Sequence, residues 1–211
     1  MTRIKVCGIT NLPDALMAVE LGVDALGFVF AKSPRQISPL EASKITRRIP
    51  PFITKVGVFV NEKESTVKKI ALNCLLDVLQ FHADESPTYC RRFRHKQWKI
   101  IKAFRIKKKN DLEIIHKYET DAYLLDSFIE KIYGGTGVTF NWNLSLLAKG
   151  LGKPIVLSGG LRPETVADAI RRVRPYAVDV STGIESKPGK KSYKLMRNFI
   201  EKVRSADDIT R

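Results

Sequence analysis

Apolar and polar positions along this chain follow two alternating periods. Short apolar-rich runs that read as strands are each followed by a longer stretch whose apolar residues recur three or four apart, as on a helix face. The first pair is Arg3 to Cys7, followed by Leu12, Leu16 and Val19. A run from Ala25 to Phe30 precedes a helix beginning after Ser38 and Pro39, and a run from Ile53 to Val60 precedes one beginning near Asn61. Serine and asparagine at those starts are residues suited to capping. Further strands are predicted at Asp77 to Phe81, Trp98 to Phe104, Ala122 to Leu125, Pro154 to Leu157 and Tyr176 to Val180. Helices are predicted at Pro87 to Arg94, Asp111 to Tyr118, Leu144 to Leu151, Pro163 to Val173 and Lys191 to Val203. In the last of these, Leu195, Phe199 and Val203 form one apolar stripe, which Met196 and Ile200 widen.

Eight strand-then-helix units in 211 residues predict an α/β fold, a single-domain (β/α)₈ TIM barrel spanning 1–211. That length is at the short end of the roughly 200 to 400 residues such barrels occupy. A doubly wound open sheet is the competing architecture. Against it, no G-x-G-x-x-G follows the first strand, and no linker rich in proline, serine or charge divides the chain.

Composition narrows the class. With 44% hydrophobic and 28% charged residues and no low-complexity tract, the chain is neither disordered nor fibrous. No apolar run approaches the roughly 18 residues of a membrane span, so no membrane partner is expected. The start, MTRIKVCGITNLPDA, lacks the pattern of an export signal. Cys7, Cys74 and Cys90 are odd in number and far apart, which argues against disulfides and for a reducing cytoplasm. Neither C-x-x-C nor H-E-x-x-H occurs, and His82, His95 and His116 match no common ligand spacing, so no metal is expected.

Charge adds one question. Lys and Arg number 37 against 22 Asp and Glu, a net +15, which suits an acidic partner. Ten of the basic residues lie between Arg91 and Lys109, where no acid occurs. A nucleic-acid surface would need that run on one face, with Phe93, Trp98 and Phe104 free to stack on bases. Because the run crosses a helix end, a strand and a loop, and Trp98 and Phe104 read as core, a solvated flank is expected and no nucleic-acid partner.

In a barrel, chemistry gathers at the carboxyl ends of the strands. There the sequence places Cys7, Arg35, His82, Asp126, Gly159 and Gly160, and the run Ser181-Thr182-Gly183. The loops after strands 7 and 8 supply small residues where backbone N–H groups can meet a phosphate, or they simply turn the chain. Cys7 is either a small buried hydrophobe or a base, since a modest fall in its pKa would make a thiolate usable at neutral pH. Asp126, after the apolar Tyr123 to Leu125, is a candidate acid or a loop cap. Arg35 suits bidentate capture of a carboxylate or a salt bridge, and His82 suits a ligand contact or a core hydrogen bond. Gly134-Gly135-Thr136-Gly137 lacks the lysine of a P-loop and reads as a lid. Cys74 and Cys90 read as structural.

The segments KVCGIT (5–10), GFVFAKSPR (27–35), VGVFVN (56–61), LQFHADE (79–85), LLDS (124–127), GGTGVTFNW (134–142), LSGGL (157–161) and DVSTGIESKPGKK (179–191) together resemble the phosphoribosylanthranilate isomerases of tryptophan biosynthesis. The resemblance implies a (β/α)₈ barrel without cofactor or metal, acting in the cytoplasm as a monomer or homodimer. Its partner would be a small phosphorylated substrate bearing a carboxylate. It implies Cys7 as general base and Asp126 as general acid of an Amadori rearrangement. Arg35 would hold the carboxylate, with Gln80 and His82 lining the pocket. Gly159, Gly160, Ser181, Thr182 and Gly183 would take the phosphate. The chain departs from the family pattern at Phe81, Ala83, Asn141, Thr182 and Lys191, none of which removes a catalytic group. Lys191 would add positive potential beside the phosphate. Another phosphate-binding barrel of aromatic amino-acid or histidine biosynthesis is the second enzyme reading, and a nucleic-acid binder is the reading outside enzymes.

Overall fold

The structure is a computed structural model that describes residues 1–94, 97–106, 109–126 and 150–208. Eight parallel strands close into a barrel in chain order: β1 (Arg3–Cys7), β2 (Ala25–Val29), β3 (Thr54–Phe59), β4 (Val78–Phe81), β5 (Lys99–Arg105), β6 (Ala122–Asp126), β7 (Ile155–Ser158) and β8 (Ala177–Val180). β8 pairs back onto β1, with Lys5 level with Asp179. Closure disposes of the open-sheet alternative. The described helices are α1 (Leu12–Glu20), α2 (Pro39–Thr46), α3 (Glu64–Asn73), α4 (Pro87–Arg91), α5 (Val166–Val173) and α6 (Tyr193–Asp208). After β8 the chain makes a short 3-10 helix, Thr182–Ile184, then a hairpin of β9 (Glu185–Lys187) and β10 (Lys190–Lys191). No described helix is long and apolar enough to cross a membrane.

Local chemistry explains most helix starts. Asn11 caps α1 by accepting from the Asp14 N–H at 2.9 Å, while Ser38 and Ser86 cap α2 and α4 with proline immediately following. Asn61 does not cap α3 as its position suggested. It adopts left-handed backbone at φ 48°, and its side chain accepts instead from the Asp84 N–H, tying the loop after β3 to the loop after β4. The stretch predicted as a helix from Asp111 to Tyr118 folds as two 3-10 turns, Lys109–Leu112 and Ile115–Lys117. Its buried residues Leu112, Ile115 and Tyr118 recur every third position, the period of a 3-10 helix. The last helix starts later than predicted, because Ser192 accepts from the Leu195 N–H and leaves Lys191 in the hairpin. The predicted helix from 144 to 151 and the candidate lid at 134–137 lie outside the described residues.

Two apolar layers hold the barrel. The larger fills the space between strands and helices and includes Ile4, Val6, Leu26, Phe28, Leu79, Phe81, Ile170, Met196 and Phe199. The smaller, Ala103, Ala122, Leu124, Val156 and Ala177, comes from alternate positions on β5 to β8 that face the barrel axis. Small residues dominate this inner layer, and a cavity of about 450 Å³ opens at the amino end of the strands, lined by one or more residues of every strand. The carboxyl end is where the polar residues converge.

Candidate active site

Cys7 ends β1 on the same inward row as Lys5. It pairs across the sheet with Gly27 of β2, and a β-carbon at Gly27 would stand 2.8 Å from the Cys7 sulfur and 3.2 Å from Cε of Lys5. Only glycine leaves room there for both side chains. Lys5 is buried and donates to Oδ2 of Asp179, also buried, at 2.9 Å, while the second oxygen of Asp179 has no hydrogen-bond partner among the described residues. Burial pushes the Cys7 thiol up, and the charges of Lys5 and Lys191 pull it back only in part, with Asp179 adding to the rise. Desolvation thus outweighs the neighbouring cations at Cys7. Burial alone would push the Lys5 ammonium down, but Asp179 and Cys7 hold it above its ordinary value, so Lys5 stays charged.

The hairpin after β8 closes the same corner from above. The Lys191 ammonium reaches the carbonyl oxygen of Cys7 at 2.6 Å, that of Ser181 at 3.3 Å and Oε1 of Glu185 at 3.0 Å. Burial pushes that ammonium below the ordinary lysine range despite Glu185. Arg35, on the loop after β2, grips Glu185 in a fork, Nε to Oε1 at 2.9 Å and a terminal nitrogen to Oε2 at 2.7 Å. The salt bridge considered for Arg35 thus exists, but it is half-buried and inside the site. It uses Nε and one terminal nitrogen, leaving the other terminal nitrogen for a second carboxylate. Sequence reasoning missed Glu185 and Asp179; an acid within a run of phosphate-loop residues was the available signal.

Across the barrel mouth, His82 links two strands. Its Nε2 lies 3.4 Å from Oδ2 of Asp126, the last residue of β6, and its Nδ1 lies 2.9 Å from the side-chain nitrogen of fully buried Gln80. With the amide assigned this way round, Gln80 donates to Nδ1, so Nε2 carries the proton toward Asp126. The loop bearing His82 is pinned from behind. Buried Lys102 donates to the carbonyl oxygens of Ala83 and Ala103 and pairs with Glu85 at 3.3 Å. Glu85 in turn accepts from the backbone of Asn61 and Ala83, both at 2.9 Å. Neither partner stood out in the sequence, because each looked like one more surface charge.

The loops after β7 and β8 meet. Gly159 and Gly160 adopt positive φ, 93° and 65°, and a β-carbon on Gly183 would overlap the carbonyl oxygen of Leu161. Ser181 turns its hydroxyl inward, buried and without a hydrogen-bond partner among the described residues, while Thr182 is exposed at the start of the 3-10 helix. A β-carbon at Gly8 would come within 3.1 Å of that hydroxyl and 2.7 Å of Arg35, which brings the ends of β1 and β8 together with the Arg35 loop.

Elsewhere, Phe93, Trp98 and Phe104 of the basic stretch are all buried, so none is presented for stacking on a base. Residues 95–96 and 107–108 of that stretch lie outside the described ones. Cys74 and Cys90 are buried away from the mouth, and burial pushes their thiols to about 11 and about 12. Among the described residues, no group of three or more metal-binding side chains comes together.

The family model for N-(5′-phosphoribosyl)anthranilate isomerase matches residues 4–202, nearly the whole barrel. The chain belongs to that isomerase family. It is 49% identical to the N-(5′-phosphoribosyl)anthranilate isomerase of Trichlorobacter lovleyi over 98% of this chain and all of the relative. The crystal structure of phosphoribosyl anthranilate isomerase from Thermotoga maritima superposes with a TM-score of 0.90 at 44% identity, covering 97% of this chain and all of that one. A phosphoribosyl anthranilate isomerase solved in complex with reduced 1-(o-carboxyphenylamino)-1-deoxyribulose 5-phosphate matches with a TM-score of 0.88 at 42% identity, again over 97% of this chain and all of that one. Family membership thus agrees with the resemblance carried by the eight segments.

Proposed function

We propose that the protein converts N-(5′-phosphoribosyl)anthranilate into 1-(2-carboxyphenylamino)-1-deoxyribulose 5-phosphate, an Amadori rearrangement in tryptophan biosynthesis carried out in the cytoplasm by a monomer or homodimer. The observation that carries the proposal is family membership over residues 4–202 together with Cys7 and Asp126 at the carboxyl ends of β1 and β6.

The reaction needs an acid and a base. Asp126 gives a proton to the ribose ring oxygen as the C1′–oxygen bond breaks, and the nitrogen lone pair forms the C1′–nitrogen double bond. Cys7, as thiolate, then takes the proton from C2′, and the electrons of that bond shift to give an enolamine that tautomerises to the ketone. His82 orients Asp126 through its Nε2. Arg35, anchored by Glu185, holds the anthranilate carboxylate with its remaining nitrogen. Gly159, Gly160, Ser181, Thr182 and Gly183 offer backbone N–H groups and hydroxyls to the phosphate, and the buried Ser181 hydroxyl, without a hydrogen-bond partner among the described residues, supports that role. Rescue of a tryptophan auxotroph lacking this isomerase tests the activity. The wild-type gene restores growth and Cys7→Ala does not; no rescue by the wild-type gene overturns the proposal.

A further inference from the structure

Lys5 is a buried cation with two possible anionic neighbours. It sits on β1 one inward position below Cys7, its stem and the Cys7 sulfur both packed into the gap that Gly27 leaves. Its ammonium is held 2.9 Å from Asp179 on the neighbouring strand β8, at the level of Lys5 in the register. A buried ammonium needs an anion beside it, and one suffices. Among the described residues only one oxygen of Asp179 has a hydrogen-bond partner.

We infer that Lys5 is a positioning residue shared between Asp179 and Cys7, and that competition between these two anions for one ammonium sets how readily Cys7 acts as a base. This rests on the reading of Cys7 as the general base. In the resting enzyme Asp179 takes the ammonium and Cys7 keeps its proton. When the thiol gives up that proton to solvent water, before the C2′ proton is taken, Lys5 turns part of its charge to the thiolate. The proton later abstracted from C2′ ends on the Cys7 sulfur, and Lys5 keeps its own throughout.

The other charged groups facing this corner are Lys191 on β10, which hydrogen-bonds the Cys7 carbonyl, and Arg35 from the loop after β2; Glu185 on β9 partners both. None of these is changed by the substitutions below. Burial raises the Cys7 thiol, with Lys5 opposing the rise and Asp179 adding to it, so the two partners act in opposite senses. Opposite changes in Cys7 reactivity on removing one partner or the other mark a shared cation, whereas loss of either member of a purely structural pair would damage the site alike.

The test is the alkylation rate of Cys7 by iodoacetamide as a function of pH, read by mass spectrometry on the Cys7 peptide of the folded enzyme. Alkylation reports the thiolate fraction. At a fixed pH near neutrality, Lys5→Met slows alkylation about tenfold and Asp179→Asn speeds it about tenfold, while Lys5→Arg stays near wild type. Shifts in the same direction, or no shift in either variant, overturn the inference. If Lys5→Met is recovered only unfolded, Asp179→Asn decides alone: faster alkylation supports the shared cation and an unchanged or slower rate refutes it. Whether Cys7 is the base is tested separately by the turnover of Cys7→Ala, so the two failures are distinguishable.

Discussion

Single residues in this barrel are constrained by how closely other groups approach them. At Gly183 a methyl group would collide with the carbonyl oxygen of Leu161, so Gly183→Ala must part the loops that follow β7 and β8. Those loops are the phosphate site proposed above, and the cost of parting them would fall on substrate binding. Gly183→Ala is expected to raise KM about tenfold or more, roughly the loss of one charge-assisted hydrogen bond. Its circular dichroism stays that of the wild type. An unchanged KM would remove this loop pair from the phosphate site. The placement of Cys7 at the end of β1 and of Arg35 in the loop after β2 was legible because the apolar runs that precede them were. Their partners Asp179, Glu185, Lys102 and Glu85 were not, since a charge in sequence carries no sign of whether it will be buried.

At the scale of elements, the hairpin of β9 and β10 organises one side of the mouth. Burial raises the Glu185 carboxyl, but hydrogen bonds from Arg35 and Lys191 outweigh this and hold it below the usual carboxylate range. A carboxyl lowered on folding contributes stability that is complete above the ordinary carboxylate range and is lost as pH falls through its folded value. Glu185→Gln is therefore expected to melt below wild type at neutral pH, with the gap narrowing on acidification. Melting temperatures measured between neutrality and pH 3 check this, and a gap that widens on acidification would contradict it. The eight strands were legible as short apolar-rich runs, even though β1 and β5 carry the buried Lys5 and Lys102. The 3-10 turns at 109–117 were misread because Leu112, Ile115 and Tyr118 fit a helix on two of three spacings. The hairpin escaped notice because Glu185, Ser186 and Lys187 have no alternating apolar face.

For the whole molecule, closure joins the two ends of the chain. Asp207 near the end of α6 accepts from both the backbone and the hydroxyl of Thr2, each at 2.7 Å, and Arg204 donates to the Thr2 carbonyl at 3.0 Å. Asp207→Ala leaves buried donors on Thr2 without this acceptor and is expected to cost about 1–3 kcal/mol. At about 2–4 °C per kcal/mol for a chain of this size, calorimetry would resolve the shift, with turnover at 25 °C little changed. The net charge of +15, first suggestive of nucleic acid, finds part of its use in Lys5, Arg35 and Lys191, which surround a site proposed for a substrate carrying a phosphate and a carboxylate. The most direct test of acid–base catalysis by Cys7 and Asp126 is steady-state conversion of N-(5′-phosphoribosyl)anthranilate by purified wild type, Cys7→Ala and Asp126→Asn. Wild type turns the substrate over, and each variant, folded and binding product with near-normal affinity, loses about 10²–10⁴-fold in kcat. Turnover within a few fold of wild type in either variant would contradict the role assigned to that residue.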